Sequence, residues 1–490
     1  MKAKLKLSLV SFSVILIASV ITGCAVGPDY KRPPATGTNA LPEKFGDAGV
    51  TNYGEWKVAE PAAQIPRDAW WQIYNDAELS RLESMASSNN QQIALAIANF
   101  DQARAALTVA RSGFFPQLSA VPYLTRQRTT GNSAPTASSG SGRTFNLYNV
   151  SADASWEADL WGRVRRLSES SRAQLAASGE DLESMKLSIE AEVASDYFTL
   201  RALDAQSQSL FESSAAYEKA LQLTQNRRNS GVADQLDVAQ AETQLRSVEA
   251  QIPAIDLQRA QMRHALAVLC GQPATTFTLI PSSIASTNVP VIPTTVPSQW
   301  LEHRPDISSA ERKMAAANAS VGVAKAAFFP KLTLNAAGGF ESINASSLFN
   351  WPSRIWSLGP SLNLPLFTGG NNRAQLKSSK AAYQGSIATY RLTVLQAFQD
   401  VEDQLAGEKY LEWELNRETA AMTSAQRALD IANNRYKAGT EQYLDVITAQ
   451  TTLLTHQQTV LQLRGQRMAN SVALIKALGA GREIEAPYRH

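Results

Sequence analysis

One stretch of the chain occurs twice: Arg227-Arg228-Asn229-Ser230-Gly231-Val232-Ala233-Asp234-Gln235-Leu236-Asp237-Val238, and, 208 residues later, Arg435-Tyr436-Lys437-Ala438-Gly439-Thr440-Glu441-Gln442-Tyr443-Leu444-Asp445-Val446. Both copies hold a glycine at the fifth position and end in Leu-Asp-Val. Glycine takes positive φ without a Cβ clash, as a tight turn between two helices requires. Each copy therefore predicts the tip of a helical hairpin, and their repetition predicts a duplicated chain.

The composition excludes several classes of protein. The 490 residues include 46 Lys and Arg against 44 Asp and Glu, a net charge of +2, which is far from the basic excess of a nucleic-acid-binding protein. The four histidines and the two cysteines, Cys24 and Cys270, show no metal-binding spacing. No set of catalytic residues is recognisable. We therefore expect a protein that is not an enzyme, with no metal or other cofactor and no nucleic-acid partner.

The N-terminus has the pattern of a secretory signal. A lysine-rich start is followed by an apolar run from Leu7 to Ile21 and then by Gly23-Cys24. This predicts a signal peptide at residues 1–23. Cysteine at this point resembles the lipobox of bacterial lipoproteins, which implies a covalent lipid on Cys24. An ordinary signal peptide with an incidental cysteine is the alternative.

Two regions alternate between apolar and polar residues. The clearer one has apolar residues at every second position from Val150 to Leu160 and polar residues between them. A period of two over about ten residues is typical of a transmembrane β-strand. No run after the signal reaches the roughly 18 apolar residues of a membrane helix, so a spanning element would have to be β. We expect hairpins at 117–161 and 331–368, and a half-buried hairpin of a soluble domain remains the alternative.

Helical composition fills most of the remaining chain. We expect a first helix from Asp76 to Phe115, a very long one from Arg163 to about Asn229, and a second long one from about Arg373 to Lys437. The expected boundaries are an extended, lipid-anchored segment at 24–67, a first structural repeat at 68–270, a Pro-rich linker at 271–300, a second repeat at 301–479 and a tail at 480–490.

The helix lengths predict an elongated arrangement. The two shorter helices of each repeat together match the long one in length, so they can stack end to end beside it. The strands would then lie at one end and the Gly231 and Gly439 turns at the other. Four strands cannot close a membrane barrel, because such barrels begin at roughly eight strands and open edges are not tolerated in lipid. The chain must therefore oligomerise, and three copies suit a conducting channel better than two.

The duplication, the lipobox and the motif Arg304-Pro305-Asp306-Ile307 together resemble the outer-membrane efflux protein family, which is TolC-like. The most similar part of that family is the lipoprotein branch that works with resistance-nodulation-division multidrug pumps. The resemblance implies a mainly α fold with a β-barrel part. It further implies a trimeric 12-stranded outer-membrane β-barrel, four strands per chain, continuous with a long periplasmic α-barrel.

The implied function is that of the exit channel of a tripartite efflux system. Such a channel passively conducts small amphipathic compounds from a periplasmic pump and adaptor to the outside. The implied partners are two further copies of the chain, a periplasmic adaptor (membrane fusion) protein, an inner-membrane resistance-nodulation-division pump and outer-membrane lipid. The implied location is the outer membrane, with a lipid anchor and an extension into the periplasm.

The resemblance also assigns roles to the two turns. The periplasmic aperture, or gate, would be formed by Tyr436, Gly439, Leu444 and Asp445. The turn that docks the adaptor would comprise Arg227, Gly231, Asp234 and Asp237. Many family members have a second aspartate three residues beyond Asp445, where this chain has Thr448, so one acidic ring is absent. The alternative role of Asp445 is to stabilise the N-terminus of its own helix.

Two other functions remain open at this point. The same architecture serves as the outer-membrane duct of protein-secretion systems, although the lipobox argues against that reading. A lipid-anchored helical scaffold or adhesin would account for the long helices but would leave the four alternating strands without a role.

Overall fold

The computed structural model describes residues 25–34, 69–130, 142–282, 284, 289–290 and 304–479. The predicted signal peptide at 1–23, the predicted lipidation of Cys24 and the predicted tail at 480–490 lie outside these residues. So do most of the predicted extended segment and much of the predicted linker.

Two similar series of helices and strands make up the described chain. In order they are a 3₁₀ helix (Trp70–Tyr74), α1 (Ala77–Asn89), α2 (Gln91–Ser112), β1 (Gln117–Arg128), β2 (Thr144–Ala158), α3 (Arg163–Asn229), α4 (Gln235–Leu269), α5 (Pro305–Ala326), β3 (Lys331–Ser342), two short 3₁₀ turns (Ala345–Ser347 and Trp351–Ser353), β4 (Arg354–Asn363), α6 (Asn371–Ala438) and α7 (Tyr443–Ala477). The two predicted long helices are therefore present, with 67 residues in α3 and 68 in α6.

The prediction of one helix from Asp76 to Phe115 is wrong, because the chain breaks at Asn90. Asn90 has an extended backbone, and its side-chain oxygen accepts hydrogen bonds from the backbone N–H groups of Gln92 and Ile93. Its side-chain nitrogen donates to the carbonyl oxygen of Leu269 at 2.8 Å. Asparagine competes with the helical backbone in this way and so begins a new helix, α2.

The four strands form one antiparallel sheet in the order β1-β2-β3-β4. Opposite residues point to the same face, so the register sorts the side chains into two sets. Leu118 lies opposite Ala154, Ala154 opposite Ala336, and Ala336 opposite Leu358, and all four belong to an apolar face. The other face carries mostly small and polar residues, including Asp153. Strands β1 and β4 are the two edges of the sheet.

The chain forms two compact units. The first contains the sheet and, among the described residues, 25–33, 99–130, 142–178 and 309–390. Its N-terminal segment has no helix or strand and lies against the helices of the same unit. The backbone N–H of Val26 donates to the carbonyl of Trp161 at 3.0 Å, and Arg166 forms an ion pair with Asp29 at 2.8 Å.

The second unit contains the other described residues, mainly 69–98, 179–282 and 391–479, and has a large apolar core. Trp70, Phe198 and Leu266 are among its fully buried side chains. Glu83 is also fully buried, and its carboxylate oxygens have no hydrogen-bond partner among the described residues. Burial, and to a smaller extent the nearby charge of Glu190, raises the pKa of Glu83 to about 10.

Arg304 of the Arg-Pro-Asp motif stabilises a helix end within this unit. Its guanidinium donates to the carbonyl of Ala477, the last residue of α7, at 2.8 Å and also binds Asp306 and Asp400. A cation at the C-terminus of a helix satisfies free carbonyls and is favoured by the helix dipole. Within the part of the chain that the structure describes, no helix combines the length and the apolar character needed to cross a membrane.

Candidate functional site at the paired helix turns

The two repeated turns have the same backbone geometry. Gly231 and Gly439 have φ of +75° and +74°. The N–H of each glycine donates to the carbonyl three residues earlier, and the next N–H donates to the carbonyl five residues earlier, as Val232 does to Arg227. This pair of bonds is the Schellman motif, which closes a helix and requires positive φ at its glycine. The sequence prediction of two glycine-terminated helices is confirmed.

Aromatic side chains are buried beneath the second turn. Tyr436, in the last turn of α6, is 5% exposed, and Tyr443, the first residue of α7, is 2% exposed. Their ring centroids are 5.1 Å apart, and Val446 and Ala241 pack against them. Burial, followed by the proximity of the Tyr436 hydroxyl, raises the pKa of Tyr443 to about 12. The hairpin tip therefore has a small apolar core of its own.

Arg227 connects the first turn to the second. Its guanidinium donates from Nη1 to the carbonyl of Tyr436 at 3.0 Å and to that of Lys437 at 3.3 Å. The guanidinium carbon also lies 4.6 Å from the centre of the Tyr436 ring. Arg227 thus supplies a cation to the carbonyls of the last turn of α6, where the helix dipole favours one, and stacks on the buried tyrosine.

The corresponding arginine of the second copy behaves differently. Arg435 is 62% exposed, and its contact with Glu441 is an ion pair of 3.5 Å within the same turn. Asp234 caps α4 by accepting a hydrogen bond from the backbone N–H of Gln235, whereas Gln442 makes no side-chain cap at the start of α7. The Arg227 guanidinium therefore contacts the other turn, whereas the Arg435 guanidinium pairs within its own turn.

The structure separates the predicted aperture residues into two groups. Tyr436 is buried, whereas Gly439, Leu444 and Asp445 are exposed. Leu444 is 51% exposed, and the Asp445 carboxylate makes no hydrogen bond or ion pair with the described residues. Asp445 occupies the first turn of α7, where the helix dipole favours a negative charge, as its alternative role requires.

The predicted docking residues are also divided. Gly231 and Asp234 are exposed, Asp237 is half-buried, and Arg227 is directed toward Tyr436 rather than toward solvent. Asp237 lies close enough to Tyr443 to contribute, as the smallest effect, to the raised pKa of that hydroxyl. Asp237 and Asp445 thus hold the same helix position in different surroundings.

Two residues of the site escaped the sequence analysis. Tyr443 replaces Gln235 of the first copy, and Thr224 is fully buried and hydrogen-bonds with Tyr443. A sequence signal for Tyr443 exists: the first residue of α4 is Gln235, whereas the first residue of α7 is the aromatic Tyr443. An aromatic residue at this position in one copy alone indicates a local core.

The apolar face of the sheet is exposed in the single chain. Leu118 and Leu358 are 77% and 76% exposed, and Trp356 and Leu362 on the same face are 77% and 66% exposed. A soluble monomer rarely exposes so continuous an apolar surface.

The comparisons with known proteins agree with this geometry. The family model described as "Outer membrane efflux protein" matches residues 82–272 and 296–480. The chain belongs to the outer membrane efflux protein family. It is an outer-membrane channel protein and not an enzyme, as the sequence predicts.

Full-length relatives carry related descriptions. The toluene efflux pump outer membrane protein TtgF of Pseudomonas putida is 32% identical over 475 residues, covering 95% of this chain and 96% of that protein. The probable outer membrane lipoprotein SilC of Salmonella typhimurium is 30% identical over 482 residues, covering 97% and 99%.

Solved structures share the fold of this efflux protein. The Campylobacter jejuni CmeC outer membrane channel has a TM-score of 0.87 at 25% identity and covers 94% of this chain and 96% of its own. The open state of the Neisseria gonorrhoeae MtrE outer membrane channel has a TM-score of 0.79 at 27% identity and covers 94% and 98%. The predicted family, mainly helical fold class and outer-membrane location are therefore confirmed. The individual roles assigned to residues at the turns stay predictions.

Proposed function

We propose that this efflux protein is the exit channel of a tripartite pump, and that three copies form one passive duct for small amphipathic compounds. The observation that carries the proposal is the sheet, which has an exposed apolar face, a polar opposite face and two unpaired edges. The apolar face of the sheet favours burial. Removing the exposed leucines from water is favourable, and the hydrocarbon of a bilayer would bury them.

The two edge strands of the sheet, β1 and β4, also favour assembly of several copies. Edge strands leave backbone N–H and C=O groups unpaired, and in lipid each such group costs several kcal/mol, on the order of 2–7. Pairing β4 of one copy with β1 of the next removes every edge if the ring closes. Two copies give about eight strands, whose interior is filled by side chains, whereas three give about twelve and leave a lumen lined by the polar face.

The paired helix turns would supply the aperture of the duct. The helix turns that hold Arg227 and Tyr436 together form a compact tip with exposed Asp445 beside it. Three copies of Asp445 around a narrow axis would repel one another and attract cations, which makes them candidates for the aperture. The exposed residues of the first turn, Gly231 and Asp234, are candidates for docking a periplasmic adaptor.

The proposed cargo and the proposed lipid anchor rest on similarity to described relatives. Relatives of this chain are described as toluene, solvent and antibiotic efflux pump outer membrane proteins, which supports small hydrophobic or amphipathic compounds as cargo. The description of SilC as a probable lipoprotein supports a lipid on Cys24. With no catalytic set in the sequence, the energy for transport would come from an inner-membrane pump of the resistance-nodulation-division class.

The experiment is native mass spectrometry of the purified protein combined with recording in planar lipid bilayers. We expect a trimer whose migration on a gel changes on heating, as barrels show, and which gives discrete conductance steps. A monomeric mass without conductance would overturn the proposal and would favour the helical scaffold.

A further inference from the structure

The acidic residues of the four strands and the arginines of the strands lie on opposite faces of the sheet. The register places Asp153, Glu157, Lys331 and Glu341 on the polar face. It places Arg126, Arg128 and Arg354 on the same face as Leu118 and Leu358. The charged residues of the strands on the apolar face are thus all arginines. Every acidic residue of the strands lies on the polar face.

These three arginines, which we call the arginine group, lie at one end of the sheet. Arg126 and Arg128 lie at the C-terminal end of β1, and Arg354 begins β4 immediately after the 3₁₀ turn Trp351–Ser353. This end is opposite the one from which the helices continue. Leu118 to Leu124 spans six residue steps, roughly 20 Å along the strand at about 3.3 Å per residue, which at a tilt of about 40° rises roughly 15 Å within the ≈ 25 Å apolar band of outer-membrane barrels. The arginine group begins at Arg126, two residues beyond Leu124 on the same face.

The arginine group has no acidic partner among the described residues, and all three side chains are exposed. The carboxylate at the same end of the sheet, Glu341, lies on the polar face and accepts hydrogen bonds from the Tyr123 hydroxyl and the Asn149 amide. The positive charge at this edge of the apolar face is therefore uncompensated within the described chain.

Arg354 is held in place by an aromatic residue. Its guanidinium carbon lies 4.0 Å from the centre of the Trp351 ring, and Trp351 is 72% exposed. Tryptophan is enriched where a membrane protein meets the headgroups of the bilayer. An exposed tryptophan with an arginine stacked on it, next to an apolar band, marks the headgroup level on the loop side.

We infer that the arginine group binds phosphate groups of phosphorylated lipids in the outer leaflet around the channel. The guanidinium fork matches the oxygens of a phosphate, and the adjacent apolar face accommodates the acyl chains of the same lipid. The inference rests on the proposed function in one respect. Arg126 and Arg128 lie on one edge strand and Arg354 on the other, so closure of the barrel brings Arg354 of one copy beside the β1 arginines of the next.

The test uses purified trimer in detergent, titrated with a bisphosphorylated glucosamine lipid or with its dephosphorylated analogue. Bound lipids are counted by native mass spectrometry. The variant is Arg126→Gln/Arg128→Gln/Arg354→Gln. The matched control is Arg263→Gln/Arg312→Gln/Arg427→Gln, which removes three exposed arginines from helices.

We expect the variant to bind the phosphorylated lipid about 100-fold more weakly, since each arginine near a membrane surface contributes about fivefold. The control and the wild type should bind alike, and the dephosphorylated lipid should bind weakly to all three. Arg354→Gln alone should weaken binding about fivefold. Equal binding by variant and wild type, or equal binding of the two lipids, overturns the inference. Full competition by inorganic phosphate at the lipid's own concentration also overturns it, because the site would then recognise the free ion.

Bilayer conductance of the same samples separates this inference from the function on which it rests. A variant that conducts normally but loses the lipid supports the inference. A variant that conducts normally and keeps the lipid overturns the inference alone. A wild type that neither trimerises nor conducts overturns the proposed function and this inference with it.

Discussion

Replacing Arg227 by alanine should loosen the end of α6 while leaving the rest of the helix intact. The side chain donates to the carbonyls of Tyr436 and Lys437 and stacks on the Tyr436 ring. A hydrogen bond from a charged donor contributes about 1.5–3 kcal/mol, and a partly exposed cation–π contact about 0.5–1 kcal/mol. Because the bond to Lys437 is long and exposed, one bond and one ring contact are counted. The local loss is then about 2–4 kcal/mol.

The assay is amide hydrogen exchange at residues 435–440. The N–H groups of Gly439 and Thr440 donate to carbonyls of the last turn of α6, so they exchange when that turn opens. A loss of about 2–4 kcal/mol raises their exchange rates about 30- to 700-fold, at about 1.4 kcal/mol per factor of ten. Arg227→Lys keeps the charge but not the planar fork and should give an intermediate rate.

Arg435→Ala is the matched control. It removes the equivalent arginine of the second copy, which is 62% exposed and, among the residues that the structure describes, pairs only with Glu441, at 3.5 Å. Exposed ion pairs contribute about 0–1 kcal/mol, so exchange should rise by less than about fivefold. Unchanged exchange in Arg227→Ala, or an equal increase in Arg435→Ala, would refute the assignment of Arg227 as the contact that holds the two turns together.

Three further predictions concern the core, the turns and the sheet. Glu83→Gln should raise the melting temperature more at pH 8 than at pH 5. Because the folded pKa of Glu83 is about 10, the stability that its protonated form contributes is fully present below pH 4.5 and is lost as pH rises toward 10. A wild type whose melting temperature is flat between pH 5 and 8 would contradict this. Gly439→Ala should destabilise its turn by about 1–2 kcal/mol, because alanine resists the left-handed backbone although a Cβ there meets no other atom. Gly385→Ala, where a Cβ within α6 also meets no other atom, should instead stabilise the helix by about 0.5–1 kcal/mol. Chemical denaturation of the two variants measures the opposite signs. Leu358→Arg should lower the yield of heat-modifiable, membrane-inserted protein, because an arginine facing lipid costs about 2–4 kcal/mol of insertion free energy. Ser357→Arg, one residue away on the polar face, should leave the yield unchanged. Equal losses would show that the face assignment is wrong.

The elements that the sequence predicts well are those set by local rules. The glycine turns follow from the need for positive φ at Gly231 and Gly439, and the strands follow from a period of two that the register reproduces. The long helices follow from the absence of proline. In each case one or a few neighbouring residues determine the backbone, so the pattern is visible in the sequence.

The elements that the sequence does not predict are set by contacts between distant residues. Nothing in the local pattern shows that Arg227 binds the carbonyl of Tyr436, 209 residues away. The sequence analysis therefore placed the two residues in different functional groups, docking and aperture, that the structure joins. The break at Asn90 was missed for the same reason, since its amide is anchored by the carbonyl of Leu269.

The repeat also shows where duplicated halves diverge. Tyr436 and Tyr443 stand where the first copy has Arg228 and Gln235, so a small aromatic core exists beneath the second turn. Asp237 and Asp445 remain equal in sequence, yet one is half-buried and the other exposed. This difference supplies a matched pair for testing the aperture.

The most direct test of the account is ion selectivity in planar bilayers for the wild type, Asp445→Ala and Asp237→Ala. We predict that the wild-type trimer prefers cations and is blocked by a trivalent cation, that both properties weaken in Asp445→Ala, and that Asp237→Ala resembles the wild type. Three exposed carboxylates near one axis attract cations far more strongly than three half-buried ones at the neighbouring turn. A conducting Asp445→Ala trimer with unchanged selectivity and unchanged blockade would contradict the claim that this turn forms the aperture of the duct.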